Sequence, residues 1–138
     1  MNKYILEEIC KGMDMGIEAV DSVFDHVTNN EMKHLLLNQK NDYLVSKNKA
    51  MQLLKTIPQD TTQKKMESMM AKMMIKMKTM MNDSDEKIAQ MMIQGSNMLL
   101  IELNKLKNEN HPNPDVLKLM DELLKTEQKH IDELKPFL

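Results

Sequence analysis

Apolar residues in the first segment fall at Leu6, Ile9, Met13, Ile17, Val20, Phe24 and Val27. Steps of three and four put them on one face of a helix over about 2–28. The stretch TNN at 28–30 breaks that period and offers capping side chains to a second helix over 30–57. Its stripe runs through Leu35, Leu36, Tyr43, Ala50, Leu53, Leu54 and Ile57, and Pro58 with the polar QDTTQ closes it. A third helix is expected over 62–81, and NDSDEK supplies N-caps for a fourth over 84–109. HPNP at 111–114 is the next break, and Pro114 suits the first turn of a last helix over 114–136. Short turns at 28–30 and 109–113 make antiparallel hairpins of helices one and two, and of helices four and five. The expectation is one all-α domain over 1–138 of five helices, a four-helix core with the third helix as a cover for the fourth. The fourth helix, IAQMMIQGSNMLLIEL in its middle, is apolar almost all round and is expected to be the most enclosed.

Composition agrees with that class. Hydrophobic residues make up 41% and charged residues 29%, Gly and Pro are few, and β-branched and aromatic residues are scarce. The formal net charge is −2, and all 19 basic residues are lysines. Arginine forks onto phosphates and aromatic rings stack on bases, so a chain without Arg and with 3% aromatics argues against nucleic-acid binding. Cys10 stands alone, which suits a reducing compartment. The opening MNKYILEEIC carries acidic residues in its apolar run and is unlike a signal peptide, and no run reaches the ~20 apolar residues of a membrane span. A cytoplasmic protein is expected. No Gly-x-Gly-x-x-Gly loop and no nucleophile–base pair is visible, and the Glu7–Glu8 and Asp132–Glu133 pairs read as solvated faces.

Residues 66–81 hold eight methionines, Met66, Met69, Met70, Met73, Met74, Met77, Met80 and Met81. At about 100° per residue they gather on one side, with Lys65, Lys72, Lys76 and Lys78 largely elsewhere. The leading reading is an amphipathic helix seated on the fourth helix, where Met91, Met92 and Met98 offer partners. Two functional readings stand beside it. A groove of flexible thioethers could take a partner's apolar helix or a second copy of the chain, and a methionine ladder could hold Cu(I).

On the last helix Glu127 and His130 stand at i, i+3. Glu-x-x-His at that spacing is how carboxylate-bridged metal pairs are held in helical bundles. Glu127 falls in line with the apolar stripe Val116, Met120, Leu123, Leu124, Ile131 and Leu134, and His130 stands beside it. Hairpin geometry sets residues 127–130 opposite 93–96, where Gln94, Gly95 and Ser96 offer no carboxylate. In the first hairpin Gln39 occupies the stripe, with Asp42 nearby and Asp14 and Glu18 on facing turns. The candidate metal ligands are therefore Glu127, His130, Asp14, Glu18 and Asp42. The competing reading is a hydrogen-bonded polar layer of Glu127, Gln39, Gln94 and Asn97 that holds no ion. Gly95–Ser96 point either to close helix packing or to a small pocket lined by Met92, Met98 and Leu99.

The segments MGIEAVDSVFDHV, LLLNQKNDYL, MMIQGSNM and EQKHIDELKPFL resemble small uncharacterised bacterial proteins of ferritin-like type, distantly similar to spore-coat-F-like and degenerate ferritin-like families. The resemblance spans nearly the whole chain and implies a four-helix core with a long crossover, the place of the methionine helix. Metal-active members would hold an iron or manganese pair on one carboxylate from each of two helices and Glu-x-x-His from the other two. Gln39 and Gln94 replace carboxylates at two of those places. The leading expectation is thus a non-catalytic ferritin-like bundle, structural or interacting, with no cofactor. A dinuclear iron or manganese protein is the alternative, and Cu(I) handling by the methionine helix the third reading.

Overall fold

The computed structural model describes residues 2–58 and 84–138. Among them the chain forms four α-helices and no strand: α1 Asn2–Val23, α2 Asn30–Lys55, α3 Asp85–Asn110 and α4 Pro114–Leu134. Single 3-10 turns follow α1 at Phe24–His26 and α4 at Lys135–Phe137. The helix expected over 62–81 lies outside the described residues.

The N-termini are set by the capping residues visible in the sequence. The Asn29 side chain accepts from the Met32 amide, Ser84 from Lys87, and Asn113 from Val116 with Pro114 in the first turn. Each cap satisfies one of the amides that a helix start leaves without a partner. The first helix is shorter than the expected 2–28, and the reason is local. Val27 turns to extended backbone, because the next two amides are used elsewhere. Asp85 accepts from the Thr28 amide at 2.9 Å, the Thr28 hydroxyl at 2.7 Å and the Asn29 amide at 3.0 Å. These donors, the Thr28 amide foremost, hold the Asp85 carboxyl below its ordinary range. Asp85→Ala should lower stability by about 1 kcal/mol, below the usual range for bonds to a charged group because solvent reaches this one. Urea denaturation at neutral pH measures it.

That clasp ties the α1–α2 turn to the start of α3. At the opposite end the Asn2 side chain accepts from the Asn113 amide at 3.0 Å, tying the start of α1 to the start of α4. Helices α1 and α4 therefore run one way, and α2 and α3 the other. Packing follows the circuit α1–α2–α4–α3, a bundle in which α2 ends at one end and α3 begins at the other.

The interior separates into two apolar clusters. One holds Ile5, Leu6, Ile9 and Met13 with Leu103, Leu106, Met120 and Leu123. The other, at the Asp85 end, holds Val20, Val23, Met32, Leu36, Ile88, Met92 and Leu134. The second helix buries Leu36, Tyr43 and Ala50 as its period requires, and Gln39 with them. Helix α3 is less enclosed than its composition suggests. Gln94 and Asn97 are exposed and Ile101 is 54% exposed, because the buried residues Ile88, Met92, Ser96, Leu99, Leu103 and Leu106 occupy one side only. Glu8, expected on a solvated face, is buried, with the Lys11 ammonium 3.3 Å from its carboxylate. None of the described helices is long and apolar enough to cross a membrane.

Candidate functional site

Where the two apolar clusters meet, side chains of three helices form a polar layer. Gln39 and Tyr43 come from α2, Ser96 from α3, and Glu127 and His130 from α4. All five are buried. Helix α1 contributes Gly16, whose missing side chain leaves room for the Tyr43 ring.

The Tyr43 hydroxyl is the hub. It donates to Glu127 Oε2 at 3.2 Å and lies 3.3 Å from His130 Nδ1. The other ring nitrogen, His130 Nε2, is 2.9 Å from Asp42 Oδ2. An ionised carboxylate only accepts, so Nε2 carries the proton and Nδ1 is the lone-pair nitrogen. The Gln39 amide nitrogen donates to the His130 carbonyl at 3.3 Å. The rings of Tyr43 and His130 meet edge to face, centroids 5.1 Å apart, which fixes both planes. Gln39 Oε1 and Glu127 Oε1 have no hydrogen-bond partner among the described residues.

Burial decides the charges. Removal from water pushes the Glu127 carboxyl up to about 7, against the opposing pull of Ser96 and Tyr43. Burial also lowers His130, although Asp42 favours its protonation. The Tyr43 hydroxyl is pushed well above its ordinary range by burial and then by Glu127. At neutral pH the layer thus holds a neutral imidazole, a neutral phenol and a carboxyl near its midpoint. When Glu127 is protonated, the donors can line up in one direction. The carboxyl donates to the Tyr43 oxygen, the phenol to His130 Nδ1, and Nε2–H to Asp42, which is partly exposed.

Three of the five candidate metal ligands come together, Asp42, Glu127 and His130. The other two do not join them. Asp14 meets Lys47 Nζ at 2.6 Å on the surface, and Glu18 is exposed. Even the assembled three do not converge on one point. Asp42 is on one ring nitrogen and Glu127 on the side of the other, its Oε1 3.7 Å from Nδ1. The phenol oxygen, 3.2 Å from Glu127 Oε2 and 3.3 Å from His130 Nδ1, joins the two through a hydrogen-bonding group. A pair of hard cations wants several anionic oxygens, whereas α1 offers Gly16 at this level, α2 Gln39 and α3 Ser96. These residues do not fit a metal pair. No group of three or more potential ligands poised to hold a metal ion occurs among the described residues. The methionines 66–81 lie outside them.

Comparison of the chain with protein-family models, with curated proteins and with solved structures gives no match. The site has therefore to be read from its own chemistry.

Sequence reasoning picked out Glu127, Gln39, Asp42 and the level of Ser96, but placed Gln94 and Asn97 in the layer, and both are exposed. It missed Tyr43 as the hub. The signal was a phenol four residues after Gln39 on a buried stripe, since a buried hydroxyl must find a partner. The pocket beside Gly95 exists as a cavity of about 20 Å³ bounded by Gly12, Gly16, Tyr43, Met92, Gly95 and Ser96, with Leu99 but not Met98 in its wall. That is room for about one water molecule.

Tyr43→Phe keeps the ring and removes the hub. Glu127 Oε2 and His130 Nδ1 both lose a buried partner, so stability should fall by about 1–2 kcal/mol. The Glu127 carboxyl should rise further, because the phenol favours its ionised form. Urea unfolding and carboxyl titration by ¹³C NMR check the two effects separately.

Proposed function

We propose that this chain is a non-catalytic ferritin-like helical bundle with a structural or interaction role. Its central layer is filled by hydrogen bonds instead of ions. The observation that carries the reading is the Tyr43 hydroxyl, within 3.3 Å of both Glu127 and His130, which ties the two side chains into one hydrogen-bonded layer. The chain path supports it too. Two hairpins whose adjoining helices α2 and α3 run the same way belong to bundles with one long crossover connection. Buried polar layers in helical bundles can fix which helices pair and in what register. Here Tyr43–Glu127, Gln39–His130 and Asp42–His130 all join α2 to α4, helices that are not consecutive in the chain.

Elemental analysis of protein produced in iron- and manganese-supplemented medium tests the reading, together with anaerobic Fe(II) titration. The expected result is no stoichiometric metal in either. A stoichiometric ion that disappears in Glu127→Ala or His130→Ala would overturn it.

A further inference from the structure

Six large apolar side chains are exposed among the described residues; Ile101 on α3 and Leu138 stand apart, and the other four share one helix. Leu37, Leu44, Val45 and Met51 are each 42–46% exposed, and all lie on the outer side of α2. The inner stripe of that helix is Leu36, Gln39, Tyr43 and Ala50, so the outer residues have no part in the bundle core. Their spacing is regular. Leu37, Leu44 and Met51 recur every seven residues, and Asn41 and Asn48, both exposed, fall between them at alternating steps of four and three. That alternation is the seam of a coiled coil, with Leu, Leu and Met at d and Asn at a. From Leu37 to Gln52 the seam and its outer edge, Asn38, Val45 and Gln52, carry no charge. On the other edge Lys40 and Lys47 turn away to Asp21 and Asp14 of α1, each at 2.6 Å.

We propose that this face of α2 docks on the same face of a second copy of the chain, as a parallel two-fold pair. This gives the interaction role proposed above its partner, and rests on that reading. The choice of occupant follows from the layers. In a parallel pair like meets like, so Asn41 faces its counterpart and Asn48 its own, and each amide finds an amide. Leu37, Leu44 and Met51 likewise stack on themselves. In an antiparallel pair each asparagine would be buried beside a leucine or methionine without a partner, and an unpaired buried amide disfavours that arrangement. Charge selects the same arrangement. Parallel packing sets Lys40 near Val45 and Lys47 near Gln52 of the other copy, whereas antiparallel packing brings the lysine edges together. A polar a layer is how such seams hold register at a cost in stability. The area is small: about 21 Å of helix from Leu37 to Met51 at 1.5 Å per residue buries less than the ~1,200 Å² of stable complexes. The pair is a weak, concentration-dependent dimer.

Sedimentation velocity up to about 1 mM protein, on the full chain carrying Cys10→Ser, tests this. A reversible monomer–dimer equilibrium is expected. Leu44→Lys should weaken it at least about tenfold while circular dichroism and thermal unfolding stay unchanged, since Leu44 is outside the core. Asn48→Leu should tighten it by about tenfold or more. Asn48→Cys should cross-link to its own counterpart under mild oxidation, which only the parallel register permits. A wild-type chain that stays monomeric throughout, or a dimer indifferent to Leu44→Lys, would overturn the proposal. Dimerisation without the Asn48→Cys cross-link would overturn the parallel register. Metal content, which decides the parent reading, is independent of all of these outcomes.

Discussion

Replacing Glu127 with Gln is expected to stabilise the protein by about 3 kcal/mol above about pH 8, and to change it little below about pH 4.5. The Glu127 carboxyl goes from 4.5 to about 7 on burial in the folded chain. Between those values the folded state keeps a proton that the unfolded state has lost. Stability therefore falls as pH rises through that window, by about 1.4 kcal/mol for each pH unit crossed, and stays lower above it. The amide of Glu127→Gln has no charge to desolvate. Its oxygen can accept from the Tyr43 hydroxyl as Oε2 does, and its nitrogen would lie where Oε1 now has no partner, 3.7 Å from the lone pair of His130 Nδ1.

His130 supplies the opposite slope. Its folded value is depressed below 6.5 by burial, so as pH falls the unfolded chain takes up the proton first and the fold loses stability. The two windows overlap below 6.5, where the slopes oppose each other in the wild type, and above it the Glu127 decline stands alone. Glu127→Gln should keep only the acid-side decline and reach a plateau at neutral pH. Urea denaturation of both proteins across this range measures the difference. Parallel pH profiles would show that Glu127 is not the buried acid.

The same layer shows where sequence reasoning runs out. Hydrophobic period placed Leu36, Tyr43, Ala50, Met120 and Leu123 inside and put Glu127 among them, because a helix fixes direction to within a fraction of a turn. The hairpin turns fixed levels, so Ser96 was expected opposite Glu127 and is there. Asp14 and Glu18 each sit one residue beyond an apolar stripe position, Met13 and Ile17. One residue is about 100° of rotation, enough to send Asp14 to Lys47 at the surface. Gln94 and Asn97 failed similarly, since an almost wholly apolar helix gives no phase from which to tell inside from outside. Hydrogen-bond partners are decided at the scale of ångströms by packing, and Tyr43 became the hub through the space that Gly16 leaves it.

That space makes Gly16→Ala the most sensitive small substitution on α1. A Cβ at position 16 would stand 2.6 to 2.8 Å from three carbons of the Tyr43 ring, far inside contact distance. A free surface ring would swing away at little cost. This one is buried, held at its hydroxyl by Glu127 and His130 and packed edge-on against the imidazole. Relief requires either that α1 and α2 move apart or that the ring tilt and give up the bonds at its oxygen. Overpacking of this kind costs about 1–3 kcal/mol, and the fixed ring puts the expected loss near the upper end. The glycine's lower helix propensity partly hides it, since Ala is the better helix former by about 1 kcal/mol. A double-mutant cycle separates the two effects. Gly16→Ala should remain costly in Tyr43→Phe, where the ring is unchanged, and should become neutral or stabilising in Tyr43→Ala, where nothing is left to strike. A Gly16→Ala penalty that survives the loss of the ring would place its cause elsewhere on α1 and remove Tyr43 from the account.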